Sequence, residues 1–159
     1  MGHTIEALIV PEAAAPRIAE ELEHTRAIAL GKGLCLVPIP EATLDALRVR
    51  YPELADPVAP GFCKLSGPIA RLAKELSEHG PVAFVETDYF GGSGAQSATV
   101  WDHGVVVMPP THAHMGPINE ALRLLGVKAN PPYDEFDAAG LGAYRSNERW
   151  LGPKKSYDR

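Results

Sequence analysis

The stretch Val82 to Met108, VAFVETDYFGGSGAQSATVWDHGVVVM, decides how this chain is organised. Val82 to Phe90 alternates apolar and polar residues as a half-buried strand does. Ala95 to Trp101 alternates again, and Gly104 to Met108 forms a third apolar run after the turn residues Asp102 and His103. Between the first two runs lies Gly91-Gly92-Ser93-Gly94. A phosphate-cradling loop needs a helix after its glycines, and the P-loop needs a lysine as well. Neither follows here, and Ala95 stands where a nucleophile elbow requires glycine. The glycines therefore predict a hairpin corner, since they supply the positive φ angles of a tight turn. Three strands joined by short turns predict an antiparallel meander over about 82–108.

Outward from the meander, Thr4 to Val10 predicts a first strand. Leu34 to Ile39 predicts another, and Pro38, which lacks a ladder donor, favours a place at the sheet edge. Helices are predicted from Pro16 to about His24, from Glu41 to about Arg50, from Ser66-Gly67-Pro68 to Gly80, and from Pro117 to Leu125, with a short one from about Ser146. The third carries Ile69, Leu72, Ala73 and Leu76 as one apolar stripe. Residues 53–62, with two prolines, and 134–145 predict loops. The pattern is of the α+β class: a substantially antiparallel sheet packed by three or four short helices on one face. With 159 residues, 45% of them apolar, the chain is long enough for one core, so residues 1–159 are expected to form a single domain with a flexible basic tail from about 152.

The formal net charge of -5 argues against nucleic acid, whose phosphates reward clustered Lys and Arg. Between Lys74 and Arg123 there is no Lys or Arg, whereas Glu75, Glu78, Glu86, Asp88, Asp102 and Glu120 fall in that interval. An acidic centre with a basic tail either neutralises itself across the fold or meets a cationic partner. The N-terminus lacks the basic and apolar regions of a secretory leader, and no apolar run approaches the ~18 residues of a membrane span, so a cytoplasmic location and no membrane partner are expected. Cys35 and Cys63 have no metal or redox spacing and are expected to be reduced filler.

Three constellations can carry chemistry. Glu86 and Asp88, two apart on a strand, share the face of Val82 and Phe84, where a carboxyl pKa can rise. They suit structural pairing, partner binding or acid/base catalysis beside the glycine loop, with Ser93 and His103 as further candidates. His112 and His114, at i and i+2, could hold a metal with His103 or Asp102, although a polar loop is the simpler reading. Tyr89 and Trp101, close to Asp88 and Asp102, have the composition of anchors on a protein-binding surface. No cofactor is implied.

The segments GPVAFVETDYFGGSGAQSATVW, GPINEALRLLGV and DEFDAAGLGAYRSNERW, spanning about Gly80 to Trp150, resemble a family of small bacterial proteins that has no assigned activity. More loosely, the chain is similar to single-domain acidic proteins that serve as immunity partners of bacterial toxins. That resemblance carries over no catalytic residue. It implies a non-enzymatic binding protein that meets a basic toxin through an acidic sheet face built from Glu86, Asp88, Tyr89, Trp101 and Asp102. The competing expectation is a small hydrolase-like acid/base enzyme using Glu86 and Asp88, and a third is a homo-oligomer that pairs an exposed strand edge.

Overall fold

A computed structural model describes residues 2–54 and 58–152. The basic tail expected from about 152 therefore lies almost wholly outside the described residues.

Six strands form one sheet in the order β2-β3-β1-β4-β5-β6, and every neighbouring pair is antiparallel. The strands are β1 (His3–Pro11), β2 (Ile28–Gly31), β3 (Leu34–Pro38), β4 (Val82–Phe90), β5 (Ser93–Asp102) and β6 (Val105–Ala113). The predicted meander is present as β4-β5-β6. Phe90 pairs with Ser93 across Gly91 and Gly92, whose φ angles of 62° and 81° match the two positive positions of a tight hairpin turn. Gly94 lies inside β5, with φ at 137°. A Cβ there would stand 2.0 Å from the Asp88 carbonyl oxygen, so only glycine allows the two strands to approach this closely.

Two expectations about the edges are corrected. β3 is internal, between β2 and β1, and Pro38 is tolerated because it is the last residue of the strand. The edge beside it is β2, a strand of only four residues, joined to β3 by Gly31-Lys32-Gly33, all three at positive φ. At the other edge β6 extends to Ala113, so His112 sits on a strand and not in a polar loop. Pro109 and Pro110 fit there because an edge strand can lack outward donors.

Helices cover both faces of the sheet, a difference from the single covered face read from the sequence. On one face α1 (Ala15–Glu21), α2 (Glu41–Arg50) and α3 (Gly67–Leu76) enclose a core that includes Leu8, Val10, Val37, Ile69, Leu76, Phe84 and Trp101. On the other, α4 (Pro117–Leu124) and the chain through α5 (Glu135–Ala138) and α6 (Asn147–Leu151) enclose Ile5, Ile9, Val85, Val100, Ile118, Leu122 and Trp150. Alternate residues of β1 and β4 thus point into different cores. Ala7, Leu8, Ile9 and Val10 are all fully buried, as are Val82 to Val85, because neither face of the central strands meets water. Asp134 and Ser146 cap the last two helices by accepting the amides of Asp137 and Arg149; the first is a short helical turn inside the segment read as loop, and the second is the short helix predicted from about Ser146.

Candidate functional site

At one end of the first face the apolar core gives way to a cleft of about 410 Å³. Its walls include Thr4 and Glu6 of β1, Glu86 and Asp88 of β4, Ser97 of β5, His112 of β6, and the loop Gly61-Phe62-Cys63. The strand period explains the convergence. Glu6 pairs with Glu86, Glu86 with Ser97 and Ser97 with His112, a row across four strands, and Thr4 and Asp88 pair in the row two residues along, so both rows face the same way.

The loop is pinned over that row from two sides. Phe62 is buried and stacks on Phe84, ring centres 6.2 Å apart. One Glu86 carboxyl oxygen accepts the Cys63 amide at 2.6 Å and the other the Lys64 amide at 2.8 Å. Glu86 is only 6% exposed, and its pKa is pushed above the ordinary value, first by burial and also by Glu6 opposite, against the two amide bonds. Glu6 is held in turn: its Oε1 contacts Lys64 Nζ at 2.6 Å and accepts from Asn147 Nδ2 at 3.1 Å, while its backbone amide donates to Asn147 Oδ1. Lys64 Nζ also donates to the Ile39 carbonyl at 2.7 Å.

Hydrogen-bond logic fixes which groups donate between Gly61, Ser97 and His112 Nδ1. Ser97 Oγ lies 2.6 Å from the Gly61 carbonyl oxygen and 2.7 Å from His112 Nδ1. A carbonyl can only accept, so the single Ser97 proton goes to Gly61 and His112 Nδ1–H donates to Ser97. Ser97 is thereby a poor nucleophile, and in the neutral form of the imidazole the lone pair sits on Nε2. Gly61 completes the contact. A Cβ there would lie 2.7 Å from His112 Cβ and 2.8 Å from Cγ, so the loop can pass against the imidazole only with glycine at this position.

Cys63 is exposed in the same cleft. Its thiol pKa is raised, first by burial of the sulfur and then by the carboxylates of Glu86, Glu6 and Asp88, with Lys64 opposing. It therefore rests as a thiol and not as the thiolate that nucleophilic chemistry requires. Asp88 is exposed, and among the described residues its carboxylate has no hydrogen-bond or ion-pair partner.

Of the residues singled out in the sequence, Glu86 and Asp88 belong to this cleft. Ser93 and His103 do not. They lie in opposite directions along β4 from Glu86, Ser93 about four residues away and His103 about six, roughly 13 Å and 20 Å at the strand rise. Ser93 is at the exposed hairpin corner, and His103 is in the exposed β5–β6 turn with its Nδ1 2.7 Å from Asp102 Oδ1. The anchor role expected of Trp101 fails, because the indole is 5% exposed within the first core. Glu86 is likewise too buried to present its charge to a partner protein. Tyr89 is half-buried, its hydroxyl donating to the His114 carbonyl and accepting from Gln96 Nε2 at 3.0 Å.

The two histidines read as metal ligands have separate duties. His112 Nδ1 serves Ser97, and His114 Nδ1 donates to the Gly94 carbonyl at 2.7 Å. No group of three or more His, Cys, Asp or Glu among the described residues could hold a metal ion. Nor is any helix among them long and apolar enough to cross a membrane. Sequence reading missed Glu6, Cys63 and Ser97 as site residues. Glu6 alone left a trace, as the one charged residue in the apolar run TIEALIV.

Compared with models of protein families, with curated proteins and with solved structures, the chain matches none.

Proposed function

We propose that the chain is a small enzyme whose cleft holds a small molecule and works on it by general acid/base chemistry. The observation that carries this reading is the convergence on one void of His112, Asp88, Glu6 and Cys63, with Ser97 and Gly61 setting the imidazole and Glu86 holding the wall. His112 Nε2 is the basic atom available to a ligand. Asp88 supplies the second titratable group, and Glu86 acts through the loop it anchors. A void of this size suits a metabolite-sized ligand better than a flat contact with a protein. The immunity-type alternative asks for Glu86 and Trp101 on an acidic face, and their burial leaves it only Asp88, Asp102 and part of Tyr89.

The test is to incubate the protein and its His112→Gln/Asp88→Asn variant with a small-molecule extract and to follow both by untargeted mass spectrometry. A compound consumed by the first and spared by the folded variant supports the proposal. Equal profiles for the two proteins would sink it.

A further inference from the structure

Around the cleft, the side-chain donors Lys64 and Ser97 and the loop amides of Phe62, Cys63 and Lys64 are already consumed inside the protein. The Cys63 and Lys64 amides go to Glu86. The Lys64 ammonium group goes to Glu6 and to the Ile39 carbonyl, and the Ser97 hydroxyl goes to the Gly61 carbonyl. The acceptors are in a different position. Among the described residues, the Asp88 carboxylate, the second oxygen of Glu6 and Nε2 of His112 have no partner. The Thr4 hydroxyl can turn either way, and a thiol such as Cys63 is a weak donor.

A wall that offers acceptors and net negative charge excludes phosphate, sulfate and carboxylate ligands, which need donors. It also fits poorly with a neutral ligand whose own acceptors would go unmatched. We infer that the cleft selects a small molecule by a donor-rich cationic group, a guanidinium or a primary ammonium. This inference rests on the reading of the cleft as a small-ligand site. A guanidinium carries five N–H donors in a planar fork, enough to span Asp88 and Glu6 while a further N–H meets His112 Nε2. The Ser97 and Gly61 contacts matter to this selection because they engage Nδ1–H, so that the neutral imidazole of His112 presents its Nε2 lone pair to the ligand. Ser97 is thus a positioning residue for recognition of the cation.

Four probes of similar size separate the outcomes: methylguanidinium, methylammonium, methylurea and acetate, each titrated into the 15N-labelled full-length protein and followed by amide NMR. The cations should shift the Gly61, Cys63, Ser97 and His112 signals saturably, and methylurea and acetate should not. Asp88→Asn, at an exposed and unpartnered position, should keep the fold and weaken methylguanidinium binding by about tenfold, as loss of a charge-assisted hydrogen bond implies. Ring 15N spectra should show neutral His112 protonated on Nδ1, and Ser97→Ala should shift that tautomer towards Nε2. Methylurea or acetate binding in the cleft as well as the cations do would overturn the ligand class while leaving the site standing. Absence of any cleft shift would overturn both. Unchanged affinity in Asp88→Asn would remove the carboxylate from the account, and a blocked arginine amide binding more than tenfold tighter than methylguanidinium would give the cleft to a protein side chain.

Discussion

Glu86 and Asp88 leave the same face of β4 two residues apart and meet opposite environments. The first is buried under a loop and spends both oxygens on backbone amides, and the second is exposed and unpartnered. Spacing alone showed that the two carboxylates share a face. It could not show the loop above them, because that loop is brought there by Phe62 packing on Phe84, a contact between residues far apart in sequence. Cys63 shows how far such an environment reaches. With its thiol pKa raised among three carboxylates, it should react slowly with iodoacetamide near neutral pH compared with a free thiol. Charge should matter as much as access. A cationic methanethiosulfonate reagent is expected to modify Cys63 at least several-fold faster than an anionic one of the same size, with the ratio falling at high salt. Equal rates for the two reagents at low salt would show that the cleft is not acidic at the sulfur.

At the scale of elements, strands and amphipathic helices were legible where the apolar period was regular. β4, α2 and α4 fall within a residue or two of the positions read from the sequence, and α3 starts where it was read but ends at Leu76, the rest of the stretch to Gly80 being a 3-10 turn over Ser77–His79. β2 was not legible, because four residues give almost no period and its strand character comes from pairing with β3. The loop 58–66 is an element in its own right, closed by the Ala59 amide on the Leu65 carbonyl at 2.8 Å and tied to the sheet by Glu86. Glu86→Gln replaces one acceptor oxygen with an NH₂ that faces an N–H. The expected cost is about 1–3 kcal/mol in urea unfolding, with faster amide exchange at Cys63 and Lys64. The pH dependence has a definite sign. The pKa of Glu86 is raised in the folded state, so the native protein binds the proton more strongly than the unfolded chain. Its contribution to stability is present below the ordinary value of 4.5 and is lost as pH rises through the folded pKa. The gap between the protein and Glu86→Gln should therefore narrow as pH increases above about 4.5. A gap that widens would mean that the two amide bonds outweigh burial.

The whole molecule is a sheet between two separate cores, and that arrangement predicts how damage combines. Phe84 lies in the first core and Leu122 in the second, and both are fully buried. Phe84→Ala is expected to cost about 3–5 kcal/mol and Leu122→Ala about 2–5. Because the sheet backbone separates their neighbours, the two costs should add to within about 0.5 kcal/mol as fitted from urea unfolding of the single and double variants. A large coupling would show that the two cores relax together through β4. The sequence by itself determined the α+β class, the antiparallel meander and its glycine corner, and the shared face of Glu86 and Asp88. All of these follow from local period and from the backbone freedom of glycine. The tertiary structure alone decided that the sheet is covered on both sides, that Trp101 and Glu86 are interior, and that Glu6, Cys63, Ser97 and His112 meet at one cleft. Those facts depend on strand order and on a loop folding back over the sheet. Neither leaves a periodic mark in the chain, since the residues that meet are separated by tens of positions and acquire their roles only through the hydrogen bonds they find on arrival.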